Sequence, residues 1–313
     1  MSLIEKAVER LDKLKQAAGE PVTAPRAPAP TADAAAEVDR ILAAEVVAPA
    51  VVPEPAAPVA GPASRTIEVD LARLGMMGMV TPDQPRSPIA EEYRVIKRPL
   101  LRNATAKGQA EVKNGSLIMV TSAMPGEGKS FTAINLAISM AMELDYTVLL
   151  VDADVSRPSV LNRLGLPPER GLMDVLTGEV ADLGDVLLRT NIEKLSILPA
   201  GMPHQRATEL IASESMNRLL EQMANRYSDR IIVFDSPPLL VTTEARVLAG
   251  HMGQIVVVVE AERTTRAVLT QALSTIENCP IKLMVLNKAR ERGAGGYYGY
   301  GYGYGAEARS EAA

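Results

Sequence analysis

The sequence predicts an α/β fold, a doubly wound and mainly parallel sheet with helices on both faces. Three observations lead there. Short apolar runs recur at 117–121, 147–151, 195–198, 231–234, 255–259 and 283–286. Helix-length segments, among them 131–144, 213–227 and 264–277, separate most of them. The runs are continuously apolar rather than alternating, as expected of strands buried on both faces. A glycine-containing turn follows the first run, and aspartates close the second and the fourth.

Along the chain, residues 1–16 read as an amphipathic helix. Leu3, Ile4, Ala7, Val8, Leu11 and Leu14 share one side, and Ser2 with Glu5 has the spacing of a capping box. That apolar side serves either local packing or docking to a partner or a membrane surface. Residues 17–87 are expected to be a semi-extended linker. Nine of the 22 prolines fall between Pro21 and Pro62, in a stretch dominated by Ala, Pro and Val. The folded domain is expected over 88–290. Residues 291–313 form a flexible tail whose Gly/Tyr composition has too little apolar variety to fold alone.

Bulk composition removes several classes of function. The net charge is -5 and no basic stripe stands out, so nucleic acid is not an expected partner. A single cysteine, Cys279, excludes an internal disulfide framework and any CxxC site. Two histidines, His204 and His251, make a protein-liganded zinc site unexpected. The apolar runs at 117–120 and 255–259 fall far short of the roughly 20 residues that span a bilayer. The charged start lacks the continuous apolar stretch of a signal peptide. The expectation is a soluble, cytoplasmic chain whose membrane attachment is borrowed.

The chemistry concentrates where the first strand ends. Leu117 to Ser130 is a buried strand, a glycine-containing loop and a helix start, closing on Gly128-Lys129-Ser130, the ending of a P-loop. Ala123 occupies the motif's first glycine position. The candidate ATP-binding residues are Ala123, Met124, Pro125, Gly126, Glu127, Gly128, Lys129, Ser130 and Phe131. Backbone N–H groups of such a loop, and the helix N-terminus behind it, face phosphate oxygens. Gly126 and Gly128 allow close approach, Lys129 neutralises β/γ-phosphate charge, and the Ser130 hydroxyl suits Mg²⁺. Asp152 and Asp154 follow the second strand and Asp235 ends a later one. Parallel strands share one C-terminal edge, so these carboxylates are expected to converge on Lys129 as a P-loop NTPase site for ATP and Mg²⁺.

The loop also separates families with this topology. Partition and cell-division positioning ATPases (ParA/MinD-like) carry a second lysine near the loop start, where this chain has Met124. A switch of that type, without kinase activity, is the alternative reading. Three ordered segments resemble the bacterial tyrosine kinase family instead: Thr121–Ser130 followed by Asn135-Leu-Ala, Leu150–Pro158 with Asp152, Asp154 and Arg157, and Ile232–Pro238 with Asp235. The likeness runs from about Pro88 to the C-terminus. It implies a tyrosine autokinase in which Lys129, Asp152, Asp154 and Asp235 are catalytic. Ser130, Asp154 and Asp235 would order the metal, and Asp152 would accept the tyrosine proton. It also implies a stand-alone kinase of exopolysaccharide synthesis, peripheral to the inner membrane through a membrane-embedded chain-length regulator. The N-terminal extension is similar to that of kinases encoded with exosortase-associated polysaccharide loci.

Two further expectations concern acceptor and assembly. Tyr297, Tyr298, Tyr300, Tyr302 and Tyr304 cluster in the tail and are the candidate phosphorylation sites. The sixteen residues from Lys288 to Tyr304 span about 20–24 Å as a coil, enough to reach a nearby pocket. The family's ring-forming ExxRxxR motif is similar to Glu91-Glu-Tyr-Arg94-Val-Ile-Lys97. This implies a homo-oligomer with Glu91, Arg94 and Lys97 on one helix face. The third position is lysine, which lacks arginine's bidentate fork. Asn287 is a candidate adenine contact.

Overall fold

A computed structural model describes residues 65–226 and 229–289. The N-terminal helix, most of the linker and the tyrosine-rich tail lie outside the described residues. Within them the chain forms one eight-stranded sheet with helices on both faces. The strands are β1 (Thr66–Ile67), β2 (Leu117–Ser122), β3 (Thr147–Asp152), β4 (Leu188–Thr190), β5 (Leu195–Leu198), β6 (Arg230–Asp235), β7 (Gln254–Glu260) and β8 (Ile281–Asn287). Their order is β1-β4-β5-β3-β6-β2-β7-β8, and every pairing is parallel except β4 with β5.

Five of the six strands predicted from apolar runs are inner strands of this sheet (β2, β3, β5, β6 and β7). The run at 283–286 is the edge strand β8, expected to be buried on both faces but exposing Met284 and Leu286 on one of them. All six residues of β2 are buried, and successive side chains serve opposite faces. Ile118 and Val120 enter one core with Val148, Leu150 and Val233. Leu117 and Met119 enter the other with Leu149, Val151 and Phe234. The first core is covered by α1 (Leu71–Met76), α2 (Pro88–Ala104), α3 (Lys129–Ala141) and α4 (Val160–Leu164). The second is covered by α5 (Leu172–Leu176), α6 (Ala207–Ile211), α7 (Glu214–Arg226), α8 (Glu244–Ala249) and α9 (Arg266–Ser274). Eleven of the 13 residues of α3 are buried, because it lies between the sheet and α2 rather than at the surface. Among the described residues, no helix is long and apolar enough to cross a membrane.

The ordered domain begins before residue 88. Val69, Leu74, Met79 and Val80 are buried in the first core. Val80 N–H donates to Asn135 Oδ1 at 2.6 Å, and Asn191 bridges the N–H and C=O of Val69. The expected linker over 17–87 therefore ends earlier, near residue 65. Proline at 82 and 85 resembles continued linker, but Val69, Leu74, Met79 and Val80 before them pack into the first core. The edge strand β1 and its neighbour β4, two and three residues long, are too short to show a period.

The candidate assembly residues require a second correction. Ser87 caps α2 and Pro88 starts it, so Glu91, Arg94 and Lys97 are helical as expected. Lys97, however, is buried. Its ammonium bonds the carbonyl of Ser139 and pairs with Glu143 at 2.8 Å, tying α2 to the end of α3. Burial lowers the Lys97 pKa, offset by Glu143, while the Glu143 carboxyl, which burial would raise, is held low by Lys97. Glu91 and Arg94 pair with each other, and Arg94 also donates to Pro85 O at 3.0 Å. Lys97 is thus an internal bolt and not part of a face offered to a neighbour. A methylene stem ending in one compact charge fits that interior.

Candidate functional site

The site forms where β2, β3 and β6 end together. In the sheet β6 lies between β3 and β2, and β7 continues on the far side of β2, so the crevice opens at the point where the strand order reverses. Register fixes two of the acids. Asp152 is the direct partner of Asp235 across β3 and β6, and Asp235 is the partner of Val120 across β6 and β2. The loop from Ala123 to Gly128 then carries the chain into α3. Gly126 and Gly128 take φ of 87° and 104°. The left-handed φ requires glycine at Gly128, and a Cβ there would also displace the Asn287 amide, which it would meet at 2.0 Å.

Lys129 turns its ammonium onto the acids. Nζ lies 2.6 Å from Asp154 Oδ2, 3.5 Å from Asp235 Oδ1 and 3.3 Å from the Ser130 hydroxyl. Burial would lower its pKa, but Asp235 and Asp154 outweigh this and hold it above the usual lysine value. Asp235 is fully buried, and neither of its oxygens accepts a well-formed hydrogen bond. Burial raises its pKa against the pull of Lys129. Asp152 divides its two oxygens. Oδ2 accepts the Ser159 and Val160 N–H groups at 3.0 Å each, at the start of α4, while Oδ1 is buried without a partner. Burial, and then Asp235, push its pKa up to about 7. Asp154 Oδ1 accepts Arg157 N–H at 3.2 Å, which shapes the turn after β3.

A cavity of about 840 Å³ opens over these groups. Of the nine candidate ATP-binding residues, Pro125, Gly126, Gly128, Lys129, Ser130 and Phe131 line it. Ala123 is buried beneath the loop, and Met124 is about half exposed to one side. Glu127 points inward. Its carboxylate accepts Met124 N–H at 2.7 Å and pairs with the Thr264 hydroxyl, bracing the loop instead of facing the cavity. A second brace comes from the end of β8. Asn287 Nδ2 donates to Glu127 O at 2.8 Å, and Lys288 Nζ donates to Gly126 O at 2.7 Å while pairing with Glu260 at 3.2 Å. Asn287, read as an adenine contact, also lines the cavity, so its amide is committed to the loop at the cavity wall. Sequence reasoning missed Ser159, whose hydroxyl lies 2.9 Å from that of Ser130, and Arg163 and Thr242 in the same wall. Position directly after the Asp152–Pro158 segment was the available signal for Ser159.

The chain's similarity to known proteins coincides with this region. A family model described as an AAA domain matches residues 115–288. The tyrosine-protein kinase YwqD of Bacillus subtilis is 30% identical over 220 residues, 69% of this chain and 89% of that protein. The chain belongs to the bacterial tyrosine-protein kinase family. The putative tyrosine-protein kinase CapB of Staphylococcus aureus is 28% identical over 69% of this chain and 91% of its own length. The solved kinase domain of VpsO is 27% identical with a TM-score of 0.52, covering 65% of this chain and all of that one. The succinoglycan biosynthesis transport protein ExoP of Rhizobium meliloti is 31% identical over 71% of this chain, which spans 28% of that protein. In this member of the tyrosine-protein kinase family, the strand ends of the three motif segments meet in the crevice. The loop sits between the two acidic strand ends and the brace from β8.

Proposed function

We propose that the chain is an ATP-dependent protein-tyrosine kinase that moves the γ-phosphoryl group of ATP to its own tail tyrosines. The observation that carries this reading is the Lys129 ammonium at the cavity floor, 2.6 Å from Asp154 and 3.5 Å from Asp235, beneath a glycine loop of phosphate-binding form. Two buried carboxylate oxygens there, Oδ2 of Asp235 and Oδ1 of Asp152, have no hydrogen-bond partner, and Asp235 Oδ1 has only the Lys129 ammonium, at 3.5 Å. Buried acceptors of that kind are costly unless a cation or a donor completes them. A Mg²⁺ ion with its waters fits that deficit, and Ser130, Asp154 and Asp235 would hold it. Among the described residues no three His, Cys, Asp or Glu side chains form a ready-made metal cage. This suits an ion that draws most of its ligands from water and phosphate. When bound, it supplies charge neutralisation on the phosphate oxygens.

The remaining work falls to the chain. Backbone N–H groups of residues 126–130 cradle the phosphates. Lys129 exchanges its Asp154 partner for the β/γ oxygens. The phenolic oxygen bonds the γ-phosphorus as the bond to the β–γ bridging oxygen breaks, and ADP leaves with that electron pair. The phenol proton passes to Asp152, whose raised pKa of about 7 makes it a better acceptor than an ordinary carboxylate. Positioning and electrostatics suffice because the transition state is loose.

The acceptors we assign, Tyr297, Tyr298, Tyr300, Tyr302 and Tyr304, lie outside the described residues. Their support is sequence proximity: the described chain ends at 289, beside the braced loop. The name of ExoP supports a role in polysaccharide synthesis, and a membrane-embedded chain-length regulator is the partner we assign. Self-association through Glu91 and Arg94 would proceed without Lys97. Against the switch reading stands Met124, half exposed where such ATPases carry lysine. The deciding experiment is incubation with γ-labelled ATP and Mg²⁺, followed by mapping of the label. Label on Tyr297–Tyr304, lost in Lys129→Met, is expected. ATP turnover with no labelled tyrosine would favour the switch.

A further inference from the structure

β8 is the last strand of the sheet, and among the described residues only β7 lies beside it. Its outer margin offers backbone N–H and C=O groups along seven residues, in a register with β7 unbroken over seven pairs. Proteins usually shorten, bulge or charge such edges, because an open ladder templates further pairing. The one charged residue here, Lys282, does not guard the edge. Its ammonium turns onto the carbonyls of Glu277 and Cys279, at 3.1 and 2.6 Å, just beyond α9. Met284 and Leu286 share its face of the strand and are 61% and 64% exposed. The opposite face is spent, since Leu283 and Val285 pack against the first core.

We propose that this edge is the docking site for the chain's own segment Tyr298–Tyr304, which adds an antiparallel ninth strand. Four features favour that occupant. The segment is seven residues long, as is β8. Tyr298, Tyr300, Tyr302 and Tyr304 alternate with glycine, so in extended form all four rings fall on one face. That spacing matches Lys282, Met284 and Leu286, giving ring–methyl and sulfur–aromatic contacts across the pair. The ten residues 288–297 between strand and segment suffice to reverse direction, and a chain that turns back beside its own strand pairs antiparallel. Glycines at every second position make a weak strand alone, so the partner's side chains decide whether it forms.

Docking carries Tyr304 about 20 Å from the end of β8 that braces the phosphate loop. It therefore holds Tyr302 and Tyr304 away from the cavity while Tyr298 stays near it, and dianionic phosphotyrosines would not return to an apolar face. The docking stands without any phosphotransfer. Its sheltering effect rests on the kinase reading above.

Hydrogen exchange on the dephosphorylated, nucleotide-free full chain tests it. Three forms are compared at two protein concentrations: wild type, Met284→Lys with Leu286→Lys, and a tail in which Tyr298, Tyr300, Tyr302 and Tyr304 become Ser. The β8 amides that do not bond β7 should exchange about tenfold more slowly in wild type than in either variant, at both concentrations. Equal exchange in all three forms overturns the proposal. Protection that grows with concentration also overturns it, because a second copy then covers the edge. With γ-labelled ATP, the Met284/Leu286 variant should label its tail faster than wild type. No label in any form, with the exchange pattern intact, refutes the kinase reading and leaves the docking in place.

Discussion

Replacing Asp152 by asparagine leaves an amide oxygen to accept the Ser159 and Val160 N–H groups and removes the ionisable oxygen. In the wild-type fold, burial and then Asp235 raise this carboxyl from 3.8 to about 7. A carboxyl raised in the folded state favours folding while protonated. Its contribution is full below about pH 4 and is lost as the pH climbs through about 7. A difference of about three pH units corresponds to on the order of 4 kcal/mol, an upper figure because Asp152 and Asp235 titrate together. The nucleotide-free Asp152→Asn protein should therefore resist urea better than wild type at pH 8, by roughly 2–4 kcal/mol. That advantage should shrink to within about 1 kcal/mol near pH 4. In the labelling assay the same variant should lose about 10²–10⁴-fold in rate. Matching pH slopes for the two proteins between pH 4 and 7 would refute the burial argument. Labelling within twofold of wild type would leave Asp152 as a helix cap alone.

Other perturbations follow from the same geometry. Lys129→Met should abolish tail labelling, by about 10²-fold or more, while circular dichroism shows the fold retained. Gly128→Ala should weaken nucleotide binding and destabilise the domain by about 1–3 kcal/mol, from both the left-handed backbone and the Asn287 contact. Adding Asn287→Ala should relieve the contact but not the backbone, so chemical denaturation should show partial recovery. Lys97→Met should cost about 1–3 kcal/mol in urea, less than a fully buried pair because Glu143 is partly exposed. It should leave assembly size by light scattering unchanged. A change in size with unchanged stability would return Lys97 to an interface.

Much of the fold was legible because the central strands are fully buried and so read as continuous apolar runs. Lys129, Asp152, Asp154 and Asp235 were legible for the same reason, since each follows directly on such a strand or its loop. What escaped depends on partners far away in sequence. Glu127 looks like a loop residue facing phosphate, yet Thr264, 137 positions later, draws it inward. Lys97 sits in a motif of surface charges, but its fate is set by Ser139 and Glu143 on another helix. The sheet's antiparallel margin was invisible because β1 and β4 supply five residues in all.

The contact between the end of β8 and the phosphate loop has a mechanical consequence. Two adjacent side chains, Asn287 and Lys288, grip consecutive carbonyls of Glu127 and Gly126. Any pull on the polypeptide after residue 289 thus reaches the glycine loop within two residues, with no helix or strand in between to absorb it. What happens to the end of the chain is felt first at the loop that closes over Lys129.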